Sequence, residues 1–213
     1  MDRVLLKGAL AELFDEGAAR FDASMAELTT FRIGGPADVL VEPRTAGEAR
    51  VVLEACRRLG VAVRVMGLGS DVLVADEGLR CVVVRIAESL SQVEVDGERM
   101  HVEAGASNAD VARRACEEGL AGYEFACGIP GSIGGAVFMN AGAYDGEMKN
   151  VVAAVRSVTP QGDCRERQAA ALDLGYRHSV FQSNGEAICE VTLSLQRGER
   201  AAIEEKIADF TAR

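Results

Sequence analysis

A chain of 213 residues, 48% hydrophobic and 26% charged, is long enough to bury a sizeable core as one large domain or two small ones. Its formal net charge of −10 argues against non-specific binding to nucleic acid or to an anionic membrane surface, because the overall field repels phosphate. With 5% aromatic residues and no tryptophan, it is also poorly equipped to stack single-stranded bases.

In chain order, Leu5 to Arg20 carries Leu6, Leu10, Leu13 and Phe14 on one helical stripe. Leu28 to Pro36 opens extended and ends in a turn, and Ala37 to Val41 is a short apolar strand stopped by Pro43. Thr45-x-x-Glu48 is a capping box; it opens a helix through Val52, Leu53 and Cys56 that closes at Gly60. Val61 to Met66 is a strand, the loop Gly67-Leu68-Gly69-Ser70-Asp71 follows, and Arg80 to Ile86 is another strand. A glycine loop leaving a strand end in such an α/β unit is a common ligand position.

Beyond Ser91 the pattern becomes strand-rich. Gln92 to Val95 and Met100 to Glu103 form a hairpin across Asp96-Gly97. Ser107-x-x-Asp110 caps a helix that runs to Gly119, and strands are expected at Val151 to Val158 and Ile188 to Leu195, with Pro160-Gln161-Gly162-Asp163 as a turn. Glu199 to Arg213 is helical, with Ile203, Ile207 and Phe210 at i, i+4 and i+7, and no Gly, Asn or Pro ends it.

No apolar run reaches the roughly 18 residues of a membrane span, and Met1-Asp2-Arg3 does not open a signal peptide, so the cytoplasm is the expected location. The six cysteines are scattered without a C-x-x-C pair, and only His101 and His178 are histidines. No metal site is expected from that spacing, and the thiols are expected to be reduced and packed.

The densest signal is Gly128-Ile129-Pro130-Gly131-Ser132-Ile133-Gly134-Gly135-Ala136, followed by Asn140-Ala141-Gly142. Glycine is costly in backbone entropy, so such a cluster means sharp turning or close approach. Successive free N–H groups in a loop make an anion-binding concavity. Neither this loop nor Gly67–Asp71 is a Walker or Rossmann motif, and tight turning alone is the plain alternative for each. Two such loops on different halves of the chain would clamp one long dinucleotide between them.

Thr29-Thr30-Phe31-Arg32-Ile33-Gly34-Gly35-Pro36-Ala37, the loop Gly67-x-Gly69-Ser70-Asp71-x-Leu73-Val74, the run Gly128 to Tyr144 and Tyr176-Arg177-His178-Ser179-x-Phe181 together resemble the UDP-N-acetylenolpyruvoylglucosamine reductases, also called UDP-N-acetylmuramate dehydrogenases. The matches fall in family order. The resemblance implies an α+β fold, a two-subdomain FAD-binding module of the vanillyl-alcohol-oxidase (PCMH) type, with residues 1–88 and 89–213 as the two subdomains. It implies reduction of FAD by NADPH and of the enolpyruvyl ether of a UDP-sugar by the flavin, in peptidoglycan precursor synthesis. No nucleic-acid or membrane partner is expected, and the chain is expected to be a monomer.

By the same resemblance, Gly67, Leu68, Gly69, Ser70 and Asp71, together with Gly128, Ile129, Pro130, Gly131, Ser132, Gly134, Gly135 and Ala136, form loops that hold FAD through those main-chain N–H groups they possess (Pro130 has none), and Asn140, Ala141 and Gly142 line the same cleft. The family carries Asn where this chain has Asp71, a carboxylate expected to point away or cap the next turn. Arg177 is the catalytic candidate, since a planar guanidinium suits a carboxylate on which charge develops. Tyr176 is expected to pack on the flavin, to orient Arg177 or, equally, to be a half-buried strand tyrosine; His178, which alternates away from Arg177 if this segment is a strand, is expected to be exposed and structural. The family's third, substrate-binding domain, with its Gly-Ser-x-Phe proton donor and late glutamate, has no counterpart in these residues. A flavin-binding module without turnover, and an oxidase or dehydrogenase of the wider flavin superfamily, are the competing readings.

Overall fold

The computed structural model describes Gly8 and residues 19–212. The helix expected over Leu5–Arg20 lies outside the described residues except at Gly8, which is helical, and at Ala19 and Arg20, which open a strand instead. That strand, β1 (Ala19–Ser24), alternates Ala19, Phe21 and Ala23 inward with Arg20 and Asp22 outward, the period-2 pattern of a half-covered edge. It pairs antiparallel with β2 (Pro36–Val41). Helix α1 (Ala46–Arg58) follows, with Thr45 Oγ1 accepting from the Glu48 N–H at 3.0 Å. The capping box is only half reciprocal, because Glu48 reaches back to the Arg44 N–H at 2.7 Å.

Strands β3 (Val63–Met66) and β4 (Leu79–Arg85) complete a sheet of order β1-β2-β4-β3, in which β4 runs parallel to both β2 and β3. The two inner strands are covered on both faces, which is why Val39-Leu40-Val41 and Cys81-Val82-Val83-Val84 read as continuous apolar runs. Leu40, Val83 and Met66 pack in a smaller cluster on one face. Val39, Val41, Val82 and Val84 face α1 and join the main core.

The hairpin β5 (Val93–Asp96) and β6 (Arg99–Glu103) turns on Gly97-Glu98, one residue later than expected, with Gly97 at φ 62°. Helix α2 (Asn108–Glu117) is capped by Ser107, whose Oγ accepts from the Asp110 N–H at 3.0 Å, and the two-residue β7 (Leu120–Ala121) follows. The glycine run then contains a helix that was not anticipated, α3 (Ile133–Phe138), capped by Ser132 Oγ. Short strands β8 (Gly142–Ala143) and β9 (Gly146–Glu147) pair with each other.

Strands β10 (Val152–Val158), β11 (Cys164–Gln168) and β12 (Ala187–Ser194), separated by α4 (Phe181–Asn184), build the second, antiparallel sheet, of order β11-β10-β12-β6-β5. β11 escapes a hydropathy reading because Cys-Arg-Glu-Arg-Gln is an exposed edge. The turn before it is organised by Thr159 Oγ1, which accepts from the N–H groups of Gln161 and Asp163. After β13 (Gln196–Arg197), which pairs with β7, the chain ends in α5 (Arg200–Ala212). Met100, Val102, Val155 and Val191 of the second sheet lie in the same apolar cluster as α1 and the first sheet. Each fully buried aliphatic side chain of this kind contributes about 1.5–3 kcal/mol, so the shared core fixes the two sheets against one another. Among the described residues, no helix is long and apolar enough to cross a membrane.

Candidate flavin-binding cleft

The loop Gly67–Asp71 leaves the end of β3, and the loop Gly128–Ser132 enters α3; they face each other across a cleft of about 1000 Å³, at the upper end for small-molecule sites. Their approach requires glycine at two points. A Cβ on Gly67 would collide with Ser132 Oγ, and one on Gly131, which sits at φ 101°, would collide with Ser70 Oγ. Ser70 Oγ donates to the Pro130 carbonyl at 3.2 Å and ties the loops together.

The carbonyls of the second loop are turned away from the cleft by a buried side chain that sequence reasoning missed. Asn108 Nδ2 donates to the carbonyls of Ile129 and Gly131 at 3.3 and 3.2 Å, and the Asn108 N–H also bonds Gly131. Asn108 Oδ1 in turn accepts from the Tyr123 hydroxyl at 2.9 Å. Burial raises the Tyr123 phenol far above its ordinary value and keeps it a neutral donor. The signal available was a polar residue at the first position of a capped helix, too common a pattern to single out.

The main-chain N–H groups of Gly67, Leu68, Gly69, Ser70 and Asp71, and of Gly131 and Ser132, find no acceptor among the described residues. Several others expected to hold a ligand are already spent. The Ile129 N–H bonds Ala126, that of Gly134 bonds Ala104 O, that of Gly135 bonds Ser132 Oγ, and that of Ala136 bonds the Ser132 carbonyl. Those of Asn140 and Ala141 close the end of α3 on Val137 and Ala136. Ile129, Gly134, Gly135, Ala136, Asn140 and Ala141 therefore line the cleft as wall, Pro130, which has no N–H, and Gly142 line it beside them, and Gly128 is not among the lining residues.

Asn140 is 5% exposed and takes φ 44°. Its carboxamide is consumed internally: Nδ2 donates to Glu147 Oε2 at 2.7 Å and to the Gly175 carbonyl at 2.9 Å, and Oδ1 accepts from the Lys149 N–H at 2.9 Å. Lys149 beside Glu147, with help from Asn140, holds that carboxyl below its usual value. The bond to Gly175 anchors a two-residue turn, not a strand. Gly175 and His178 bridge one another, and Tyr176 and Arg177 sit at the tip, Arg177 at φ 49°. Gln182 Nε2 donates to the Arg177 carbonyl at 2.9 Å, and Ser179 Oγ to the Phe138 carbonyl at 2.7 Å. The Tyr-Arg-His-Ser motif is thus pinned to the end of α3 by its serine.

The turn presents Arg177 to the cleft mouth, the one arginine or lysine among the residues lining it. Its Nη2 donates to Asp71 Oδ2 at 2.9 Å, so Asp71 points neither away nor into a turn cap. Tyr176 lines the cleft beside Arg177 and is 93% exposed, not the half-buried strand tyrosine of the alternative reading. His178 pairs with Asp173 at 3.1 Å, away from the cleft. Non-glycine residues at positive φ gather here: Asn140, Tyr144, Asp145 and Arg177 all line the cleft, a backbone strain that persists where surrounding structure over-determines it.

A profile for the FAD binding domain matches residues 37–168. A UDP-N-acetylenolpyruvoylglucosamine reductase of Clostridium perfringens is 42% identical over 204 residues, covering 96% of this chain and 67% of that protein. One of Alkaliphilus metalliredigens is 40% identical over 213 residues, covering 100% of this chain and 70% of the relative. Among solved structures, the UDP-N-acetylenolpyruvylglucosamine reductase of Thermus caldophilus superposes with a TM-score of 0.77 at 31% identity, over 91% of this chain and 67% of that one. An alkyldihydroxyacetonephosphate synthase, at TM-score 0.67 and 19% identity over 92% of this chain and 41% of its own, shares the fold alone. The α+β architecture is accordingly the FAD-binding module of the vanillyl-alcohol-oxidase type. With relatives this similar along nearly its whole length, the chain belongs to the UDP-N-acetylenolpyruvoylglucosamine reductase family, FAD-dependent oxidoreductases of peptidoglycan biosynthesis.

Proposed function

We propose that this chain uses NADPH and FAD to reduce UDP-N-acetylglucosamine enolpyruvate to UDP-N-acetylmuramate. The observation that carries the reading is the pair of facing loops with seven N–H groups unclaimed among the described residues, in a cleft whose described lining holds one side-chain cation, Arg177. In a protein of net charge −10, a pyrophosphate needs such local donors because the global field opposes it. FAD fits this cradle: the N–H groups of Gly67–Asp71, Gly131 and Ser132 are the pyrophosphate donors, and Ile129, Ala136 and Ile188 offer apolar wall to the isoalloxazine. The subdomains that grip it are residues 1–88 and 89–213, each contributing one sheet and one loop.

Held by these residues, FAD would supply hydride transfer from NADPH to the enolpyruvyl double bond. Arg177 holds the substrate carboxylate and stabilises the negative charge that develops toward it. Asn140, Ser179 and Gln182 keep the Arg177 turn in place. The protein acts on a soluble UDP-sugar in the cytoplasm, as a monomer, without nucleic-acid or membrane partners.

A second reading is flavin binding without turnover, since none of the described residues lining the cleft is assigned to protonate carbon. One experiment separates the two. The chain is loaded with FAD, reduced with NADPH without oxygen, and mixed with the enolpyruvyl substrate. Reoxidation with lactyl-ether product supports the first reading; a bound flavin that substrate never reoxidises supports the second; failure to bind FAD defeats both.

A further inference from the structure

Asp71 and Arg177 lie 106 residues apart in the chain and meet across the cleft mouth. The Arg177 side chain is 58% exposed and that of Asp71 61%, and such exposed pairs add little to fold stability. The fold does not depend on this pair. The loop carrying Asp71 is held by Thr30 N–H on the Gly69 carbonyl and by Ser70 on Pro130. The turn carrying Arg177 is held by Asn140 and Gln182. Both ends of the ion pair are thus placed independently, and the contact itself is free to break. A guanidinium at the edge of a cleft is also the group that a ligand carboxylate takes. Asp71 presents the same chemical group on a tether.

We propose that Asp71 is an internal carboxylate that occupies Arg177 until the carboxylate of an enolpyruvyl ether displaces it. The inference rests on the reading of Arg177 as the residue that holds the substrate carboxylate. Under it, Asp71 sets a small threshold for entry: a ligand without a carboxylate gains nothing from Arg177 by opening the pair, and one with it binds against a competitor already in place. Displacement costs little desolvation, because the Asp71 side chain turns from one solvent-exposed position to another.

The test is a double-mutant cycle on the FAD-loaded protein. The probe is 2-methoxyacrylate, the smallest enol ether of pyruvate. Binding is followed by the flavin visible spectrum and by the Arg177 Nε–Hε resonance, in wild type, Asp71→Asn, Arg177→Gln and the double variant. Asp71→Asn is expected to shift the Arg177 resonance before any probe is added, and to tighten probe binding by about two- to fivefold, the range of an exposed ion pair. Arg177→Gln is expected to weaken binding and to abolish the gain from Asp71→Asn. Asp71→Ser, which also removes the carboxylate, is expected to tighten binding in the same way, which guards against a defect peculiar to Asn. Probe affinity unchanged by both Asp71 variants, or a gain that survives in the Arg177→Gln background, overturns the proposal while leaving Arg177 in its role. Affinity insensitive to Arg177→Gln in either background, or no binding to any form, overturns the reading of Arg177 and the proposal together.

Discussion

The two glycine loops and the Gly175–His178 turn face the same cleft but are built in different ways. The loops recognise through main chain. Among the described residues, the N–H groups of Gly67–Asp71, Gly131 and Ser132 find no acceptor; glycine at 67 and 131 lets the two stretches of backbone close to contact, and Asn108 holds carbonyls of the second loop behind. The turn recognises through one side chain, Arg177, whose position depends on Asn140, Ser179 and Gln182. A main-chain site is written locally in glycine, whereas a side-chain site is written in buried partners far along the sequence.

Variants can break this comparison on either side. The largest effect is expected from Arg177→Ala, which should leave FAD affinity intact and slow flavin reoxidation by substrate by about 10² or more; stopped-flow traces like those of wild type would remove Arg177 from the chemistry. Gly131→Ala does the converse. It forces a side chain against Ser70 and into positive φ, at a cost of about 1–3 kcal/mol, so FAD binding in titration weakens by about tenfold or more. Asn140→Ala should leave FAD affinity near wild type, lower the denaturant midpoint by the equivalent of about 1–3 kcal/mol, and slow reoxidation because the turn loses its anchor. A variant that lost FAD instead would show Asn140 to be a cofactor ligand.

The smallest expected effect concerns the cleft-lining Glu186, which accepts from Ser157 Oγ at 2.6 Å and Arg167 Nε at 3.1 Å. Burial alone would raise its carboxyl, but the hydrogen bonds from Arg167 and Ser157 outweigh burial and hold it below the ordinary 4.5. A carboxyl depressed in the folded state contributes stability above its unfolded value and loses it as pH falls through the folded one. Thermal midpoints should therefore decline as pH drops below about 4.5, and Glu186→Gln should flatten that part of the profile. An unchanged slope would mean that other carboxyls set the acid limb.

Legibility followed the same division. The inner strands β2 and β4, helix α1 with its Thr45 cap, and helix α2 with its Ser107 cap all announced themselves, because burial on both faces or a local cap leaves a pattern within a few residues. Strand β11 did not, since an exposed edge of charged residues is held by its partner β10 rather than by apolar spacing. Helix α3 was hidden in its own glycines, which depress helix propensity yet are capped by Ser132. In the cleft, glycine density pointed to the loops but not to which donors remained free, because Ala104, Ala126 and Ser132 consume several of them. The roles of Asn108 and Asn140 could not be read at all, because a buried amide is identified only by the distant carbonyls it meets.

The central claim is that unclaimed backbone donors of two facing loops hold the flavin. Amide spectra of the 15N-labelled chain, recorded with and without FAD, test it residue by residue. Gly67 to Asp71, Gly131 and Ser132 are expected to shift and exchange more slowly when FAD is added, while Gly97 and Gly162, in turns remote from the cleft, do not respond. FAD binding that left those seven amides unmoved would contradict it.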